Sequence, residues 1–317
     1  MNWTLRAVRA VARLAVRRGG MLTTVQDLGR QGYGHLGVPQ QGAVDSYALR
    51  WALRLAGCDL GDAALEITLL GPELEVLDAC FAGLAGAELG ASLNGEPWPA
   101  GESRELAPSD VISFAGPRQG FRAYLGFAGG VSGERVLHSR ATDLQSRVGG
   151  QGGRALWAGD LLEVGGGGGE RAKAPVATSL QRDTVRFVPG PRDGLFPDGA
   201  LKSLTSGPYR VTTESNRVGM RLAGPEVPGA PGDIPSEGTP LGAIEILPSG
   251  QPIILLQGRG SVGGYPVPAT VISADIPVLA QLRPGQDLRF AQVDMAAARA
   301  ARREIEERLL LPLLASP

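Results

Sequence analysis

The sequence predicts a mainly β fold made of antiparallel barrels or sandwiches, with few short helices. Glycine and proline are abundant, with 47 and 24 occurrences among 317 residues, as is typical of folds with many turns. Apolar segments are short and separated by turn residues, whereas helical periodicity is rare. The length of the chain favours two domains.

Predicted strands follow one another along most of the chain. Residues 121–127 alternate in polarity, which places their apolar side chains on one face of a strand. Asn94-Gly95 is a dipeptide typical of two-residue hairpin turns, so it predicts a hairpin over 91–96. The further predicted strands are 110–114, 184–189, 208–213, 243–247, 252–256, 268–274 and 286–292.

Two helices are predicted. The first begins at Asp45 or Ser46 and ends at Ala56, because Gly57 then stands where a terminating glycine is favoured. The second spans about 295–310 and has the pattern of an amphipathic helix that packs on a barrel.

A run of five glycines after residue 164 indicates a domain boundary, because glycine-rich segments bury little surface and are costly to order. Glu66 and Glu245 each lie in a short apolar strand followed by a turn, which suggests two related barrels. The predicted organisation is an N-terminal extension (1–20), a first barrel subdomain (21–165), a glycine-rich linker (166–180), a second barrel subdomain (181–294) and a C-terminal helix and tail (295–317).

Charge composition argues against several classes of partner. The chain has 31 basic and 32 acidic residues and a net charge of −1, so we expect no nucleic acid and no anionic membrane surface as partner. No apolar run reaches the roughly 18 residues needed for a membrane-spanning helix. Only Lys173 and Lys202 are lysines, which leaves almost no candidate for a Walker or Schiff-base lysine.

Cysteine and histidine are too sparse for a metal centre. Cys58 and Cys80 form no zinc-binding pattern, and we expect them to be free thiols in a reducing cytoplasm. His35 and His138 are the only histidines, so the sequence predicts no metal site.

Two groups of polar side chains in glycine-rich surroundings carry the candidate chemistry. Arginine suits carboxylate or phosphate because its guanidinium group forms paired hydrogen bonds. Asp45 or Glu237 could act as a base, or orient water, if burial raised its pKa. The predicted catalytic residues are Asp45, Arg217 and Glu237. The predicted substrate-binding residues are Gln26, Asp27, Arg30, Glu66, Asn216, Arg221, Arg259, Gly263, Gly264 and Tyr265.

Simpler roles remain open for several of these residues. Arg217 and Arg221 could form a surface ion-pair set with Glu214. Asp45 could be a helix cap. Glu66 and Glu245 could be edge residues or buried groups that accept bonds from backbone amides.

Four polar motifs stand out along the chain: Leu-Thr-Thr-Val-Gln-Asp-Leu-Gly-Arg at 22–30, Gly-Ala-Val-Asp at 42–45, Ser-Asn-Arg-Val-Gly-Met-Arg-Leu at 215–222 and Ser-Glu-Gly at 236–238. Together they resemble the carboxyltransferase-domain family, whose members include the C subunit of 5-oxoprolinase (the KipI antagonist), allophanate hydrolase subunit 2 and urea carboxylase. The resemblance covers roughly residues 20–295.

The resemblance implies two cyclophilin-like antiparallel β-barrels and a heteromeric assembly with two sister subunits of 5-oxoprolinase, the KipI-like B subunit and the A subunit. It implies ATP, with Mg²⁺, as the co-substrate that drives opening of 5-oxoproline to L-glutamate. Two alternatives stay open. One is a carboxyltransferase that needs a separate biotin carrier, and the other is a non-catalytic partner that antagonises a kinase inhibitor.

The chain departs from the family pattern at one point. Where the family commonly has Asp-Arg-Gln-Thr-Thr-Gly-Gly-Tyr, residues 258–265 read Gly-Arg-Gly-Ser-Val-Gly-Gly-Tyr. Gly258, Gly260 and Ser261 thus replace an acid, an amide and a hydroxyl residue. We expect a polar ligand contact to be weakened or lost there.

Overall fold

The computed structural model describes residues 11–228, 232 and 234–316. These residues are mainly β with four α-helices, so the predicted fold class is confirmed. They form two compact units. The first unit contains 11–29, 46–179 and 311–316, and the second contains 30–45 and the described part of 180–310.

The first unit consists of two sheets and helix α1 (Ser46–Leu55). Its strands are β1 (Val11–Arg18), β2 (Leu22–Gln26), β3 (Ala64–Thr68), β4 (Glu73–Val76), β5 (Cys80–Glu88), β6 (Ala91–Leu93), β7 (Glu96–Pro97), β8 (Glu102–Leu106), β9 (Val111–Phe114), β10 (Gln119–Phe127), β11 (Leu161–Gly165), β12 (Ala172–Lys173) and β22 (Leu314–Ala315). The sheet orders are β11-β1-β4-β9-β6-β7 and β2-β3-β10-β5-β8-β12-β22.

One apolar core serves both sheets of the first unit. Leu14 and Leu74 from one sheet and Leu65 and Leu125 from the other belong to the same buried cluster. Helix α1 packs on β5 and β10. The β6–β7 hairpin turns at Asn94-Gly95, and both residues have positive φ, as predicted for this dipeptide.

The start of the described chain is a strand. Residues 11–18 form β1, which pairs with β4 and β11, whereas the sequence placed residues 1–20 in an extension. The reason is the alternation of the segment, because Ala12, Leu14 and Val16 are all buried in the core. The part of the predicted extension before Val11 lies outside the described residues.

The glycine-rich stretch packs on the first unit, although the sequence predicted a flexible linker over 166–180. A methyl group added at Gly169 would lie 2.6 Å from ring atoms of Phe81. Farther along, the hydroxyl group of Tyr47 donates to the carbonyl oxygen of Ala177 at 3.0 Å. Glycine is useful here because it allows the backbone to approach an aromatic ring closely.

The second unit contains a closed barrel in the order β13-β20-β17-β18-β15-β14-β21, plus the two-stranded ribbon β16–β19. Its strands are β13 (Thr184–Pro189), β14 (Tyr209–Val211), β15 (Gly219–Ala223), β16 (Glu237–Gly238), β17 (Ala243–Ile246), β18 (Pro252–Leu255), β19 (Val262–Gly263), β20 (Ala269–Val271) and β21 (Asp287–Gln292). Its helices are α2 (Ala200–Leu204), α3 (Ile276–Gln281) and α4 (Met295–Leu310). β13 and β21 pair in parallel, and the other described barrel pairs are antiparallel.

Aromatic side chains fill the barrel. Phe290 contacts Phe187 and Tyr209 edge to face, with ring centroids 6.1 and 5.4 Å apart. Helix α4 matches the predicted C-terminal helix, and Ala301 packs it against Ile272 and the residues that follow β20. Within the part of the chain that the structure describes, no helix is both long and apolar enough to cross a membrane.

A buried carboxylate ties β13 to α3. Asp275, which directly precedes α3, accepts hydrogen bonds from the backbone N–H and the guanidinium group of Arg186, at distances of 2.6–2.9 Å. Arg182 Nη2 donates to the same carboxylate at 2.9 Å. Asp275 is fully buried, and the bond to it raises the pKa of Arg186.

Candidate functional site

The segment 30–45 is fixed in the second unit by side chains from elsewhere in that unit. Arg217 Nη2 donates to the carbonyl oxygen of Gly42 at 2.5 Å, and Gln257 Nε2 donates to the carbonyl oxygen of Gln41 at 2.7 Å. Gln41 holds a left-handed backbone conformation (φ 54°) while almost fully buried, so these bonds stabilise an unusual turn. The sequence had assigned this segment to the first subdomain.

Asp45 ends this segment and is fully buried. Gln281 Nε2 donates to Asp45 Oδ2 at 2.7 Å, which fixes the carboxylate in position. Near the other end of the segment, the backbone N–H of Arg30 donates to the carbonyl oxygen of Gln40 at 2.7 Å. Arg30, Asp45 and Arg217 thus belong to one compact unit.

The Arg217 backbone continues this network into the glycine-rich loop 258–265. Its carbonyl oxygen accepts from the N–H of Gly258 at 2.8 Å. A methyl group at Gly258 would lie 3.0 Å from that oxygen. Glycine therefore replaces the family's usual acid at a position where a side chain has little space. Arg259 and the ribbon strand β19 follow directly.

Glu237 and Gly263 face each other across the β16–β19 ribbon. Arg192 donates to Glu237 Oε2 from Nε at 2.9 Å and from Nη2 at 2.7 Å. This ion pair raises the pKa of Arg192 and orients the Glu237 carboxylate at the ribbon.

Arg259 is half-buried beside the ribbon. Its Nε donates to the carbonyl oxygen of Thr239 at 2.9 Å, and the Thr239 hydroxyl donates to the carbonyl oxygen of Gly260 at 2.5 Å. Arg259 Nη1 is buried and has no hydrogen-bond partner among the described residues. Burial lowers the pKa of Arg259, yet an arginine stays charged. Such a group favours an anionic oxygen of a ligand.

Glu245 lies beneath the ribbon, on β17. It is only 6% exposed, and burial raises the pKa of its carboxyl group. A methyl group added at Gly263 would lie 2.8 Å from both Glu245 Oε1 and Thr239 Cγ2. Glycine at 263 therefore leaves room for the Glu245 carboxyl group.

The remaining predicted residues of the second unit have local roles in the structure. Asn216 Oδ1 accepts from the N–H groups of Val218 and Gly219, which closes a turn. Arg221 forms an exposed ion pair with Glu214 at 3.6 Å, so the surface ion pair considered from the sequence exists for Arg221.

Arg217, by contrast, is buried and bonded to the segment 30–45. Gly264 and Tyr265 follow β19, and the carbonyl oxygen of Gly264 accepts from the N–H of Ile234 at 2.8 Å. Both residues are half-buried, and they extend the rim of the ribbon.

Three predicted substrate-binding residues belong to the first unit. Asp27 accepts bonds from the N–H of Gly29 at 2.8 Å, the hydroxyl of Ser139 at 2.7 Å and the N–H of Arg140 at 2.6 Å. These bonds close one turn and anchor the loop 139–142.

Gln26 and Glu66 are also bonded within the first unit. Gln26 Nε2 donates to Thr24 and to the carbonyl oxygen of Thr142. Glu66 Oε2 accepts from the Tyr124 hydroxyl at 2.7 Å.

Sequence reasoning missed the residues that hold the segment 30–45. Gln257 and Gln281 each end an apolar run, and a single amide at the end of such a run was the available signal. Thr239, which links Arg259 to the ribbon, stands in an ordinary turn sequence. Among the described residues, no group of three or more His, Cys, Asp and Glu side chains is placed to hold a metal ion.

Comparison with known proteins identifies the family. The family model described as "Carboxyltransferase domain, subdomain A and B" matches residues 36–292. The C subunit of 5-oxoprolinase from Escherichia coli is 36% identical over 295 residues, which cover 92% of this chain and 94% of that protein. The protein of the same name from Haemophilus influenzae is 31% identical over 284 residues, which cover 89% and 92%.

A solved structure of the Kluyveromyces lactis urea carboxylase has a TM-score of 0.86 and 28% identity, and it covers 96% of this chain. This chain spans 30% of the length of that one. The resemblance noted in the sequence motifs is confirmed, and the chain belongs to the carboxyltransferase-domain family, subdomains A and B.

Proposed function

We propose that this chain is the C subunit of a heteromeric 5-oxoprolinase, which opens the cyclic amide of 5-oxoproline to L-glutamate. The observation that carries the proposal is the match to proteins named as the C subunit of 5-oxoprolinase, which extends over nearly the whole of this chain and of each relative. In this proposal two sister subunits, the A subunit and the KipI-like B subunit, complete the enzyme. ATP, as its Mg²⁺ complex, is a co-substrate of the assembled complex.

Arg259 is the residue that we assign to the substrate carboxylate. Its Nη1 is buried without a partner among the described residues, and a guanidinium N–H that binds a carboxylate gains a charge-assisted hydrogen bond. An amide is a poor electrophile, so its oxygen would need activation by ATP. The reaction then develops negative charge that nearby hydrogen-bond donors must stabilise.

The other residues support this site. Glu237, oriented by Arg192, is an acceptor suited to hold a water molecule or a substrate N–H. Arg217 acts on the segment 30–45 through Gly42, so we assign it a positioning role. The Asp45 carboxyl group is held in position by Gln281 in the same unit.

The assay mixes the purified chain with its partner subunits, ATP and 5-oxoproline, and follows glutamate. Glutamate above a control without ATP supports the proposal. Equal glutamate with and without ATP, or none in either, refutes it.

Arg259→Gln should raise the KM for 5-oxoproline about tenfold to hundredfold, or roughly 1.4–2.8 kcal/mol, because a charge-assisted bond is lost. Arg210→Gln is the matched control, since Arg210 is an exposed partner of Asp287 in the same unit. An unchanged KM in a folded Arg259→Gln protein would remove Arg259 from the site.

Carboxyl transfer from a biotin carrier is the second candidate function. The structural similarity to the Kluyveromyces lactis urea carboxylase, at a TM-score of 0.86, favours it. A separate biotinylated carrier protein would then be required. Loss of carboxyl groups from a carboxylated carrier, dependent on this chain and on an acceptor amide, would support this reading over the first.

A further inference from the structure

The carboxyl group of Glu245 is a buried polar group to which the proposed function has so far given no role. The residue is 6% exposed, and the structure gives its carboxyl group no hydrogen-bond partner among the described residues. Its oxygens are not among the fully buried unpaired atoms, so a ligand atom can reach the carboxyl group, yet a polar group so nearly buried is costly to leave without a partner. A site that keeps one is a candidate for binding a ligand that supplies the missing bonds.

The surroundings of Glu245 are apolar. Alternate residues of a strand share a face, so Glu245 lies on the same face as Ala243 and Leu247. Glu245 stands directly opposite Ile253 on β18. This face carries an apolar cluster that is separate from the core of the barrel: Ala243, Leu247, Ile253, Leu255 and Val267. An apolar environment of this kind favours the neutral form of a carboxyl group.

A neutral carboxyl group has an O–H donor beside a carbonyl acceptor. A cyclic amide offers the complementary pattern, because the ring forces its N–H and C=O onto the same edge. The two groups can therefore form a pair of parallel hydrogen bonds, and a carboxylate cannot, since it has no donor.

We propose that Glu245 binds the cis-amide edge of a cyclic amide substrate, its O–H donating to the ring carbonyl oxygen and its carbonyl oxygen accepting from the ring N–H. The inference takes its ligand class from the proposed function. Gly263 belongs to the same binding site, because a side chain there would occupy the space next to Glu245 Oε1. Arg259, which also borders Thr239, would bind the carboxylate of the same molecule.

Few titratable groups face Glu245. The neighbouring barrel strands β18 and β20 carry none. The ribbon and the residues beside it carry Glu237, Arg259 and Tyr265, and none of them is among the causes of the raised pKa of Glu245. Because the binding form is protonated, binding is complete below the pKa of Glu245 and is lost as the pH rises through that raised pKa.

The test measures binding of 5-oxoproline to the assembled complex without ATP, by calorimetry between about pH 5 and pH 8. The wild-type affinity should fall about tenfold per pH unit above the pKa, since one proton is linked to binding. Glu245→Gln should bind with little pH dependence, because its amide offers the same N–H and C=O edge. Glu245→Leu should weaken binding at least about tenfold. 1-Methyl-5-oxoproline, which lacks the ring N–H, should bind the wild type poorly.

Glu304→Gln is the matched control, since Glu304 is an exposed residue of α4 that pairs with Arg308. It should keep the wild-type pH profile. If Glu245→Gln also keeps that profile, the inference is overturned, even where Glu245→Leu fails to fold. Turnover of 5-oxoproline by the wild-type complex separates the proposed function from the proposed role of Glu245. No turnover refutes the proposed function. Turnover together with a Glu245→Gln binding profile equal to that of the wild type refutes only the role of Glu245.

Discussion

At the scale of single residues, Arg217 shows how a charged group can serve a site without touching a ligand. Its guanidinium group donates to the carbonyl oxygen of Gly42, and its own carbonyl oxygen receives the N–H of Gly258. One residue therefore connects the segment 30–45 to the loop that carries Arg259. A hydrogen bond from a charged donor is among the stronger ones in a protein.

Arg217→Ala should lower the free energy of unfolding by about 1.5–3 kcal/mol, because the Gly42 carbonyl group loses a charged donor. The free energy is measured by urea denaturation. Arg210→Ala is the control, since its ion pair with Asp287 is exposed, and it should cost at most about 1 kcal/mol. Equal losses in the two variants would contradict the positioning role.

At the scale of secondary-structure elements, the β16–β19 ribbon approaches Glu245 closely at one position, Gly263. Its two glycines differ in their surroundings. Gly263 faces Glu245 Oε1 and Thr239 Cγ2, whereas a methyl group at Gly238 would meet no atom within 4 Å. The ribbon can therefore accept a side chain at one position and not at the other.

Gly263→Ala should destabilise the protein by about 1–3 kcal/mol through overpacking and should weaken binding of 5-oxoproline. Gly238→Ala should change stability by less than about 0.5 kcal/mol and leave binding unaltered. Thermal unfolding and calorimetry on both variants check this. Wild-type affinity in Gly263→Ala would show that the space above Glu245 is not used.

Asp275 performs a purely structural task at the same scale, joining β13 to the start of α3. Asp275→Asn should cost about 1–3 kcal/mol, because the buried Asp275 loses charge-assisted hydrogen bonds from Arg186 and Arg182, whose side chains are partly exposed. Asp287→Asn is the matched control, since Asp287 pairs with Arg210 in an exposed position, and it should cost at most about 1 kcal/mol. Urea denaturation of both proteins measures the two losses of stability. Similar midpoints would show that the Asp275 cluster contributes little to the free energy of unfolding.

At the scale of the whole molecule, local signals in the sequence predicted local structure well. The Asn94-Gly95 turn and helix α4 depend on neighbouring residues only, and both are present. Partners that are distant in sequence could not be predicted. Gln257 binds the carbonyl oxygen of Gln41, and the two residues are 216 positions apart.

Glu66 and Glu245 make the same point for the candidate site. Both stand in an apolar strand between aliphatic residues, and the sequence gives no reason to treat them differently. Glu66 receives a hydrogen bond from Tyr124, 58 positions away. Glu245 has an apolar face beneath it and a glycine above it instead. Only the pairing of strands separates a structural carboxyl group from a candidate binding group.

The glycine-rich stretch that follows β11 also tests the domain boundary. Gly169→Ala should destabilise the protein by about 1–3 kcal/mol, because its methyl group would overlap the Phe81 ring. Gly168→Ala meets no atom within 4 Å and should be nearly neutral. Thermal unfolding of the two adjacent variants compares them directly. Identical stabilities would support the flexible linker that the sequence predicted.

The discontinuous second unit constrains how the protein is made. Residues 30–45 are translated before Gln257 and Gln281, which bind this segment and lie 216 and 236 positions after their partners. At about 5–20 residues per second, the ribosome needs on the order of 10–50 s to cover that stretch. During this interval the nascent chain carries the Gln41 turn without the amides that later secure it. The second unit therefore cannot be completed until Gln281 has left the exit tunnel.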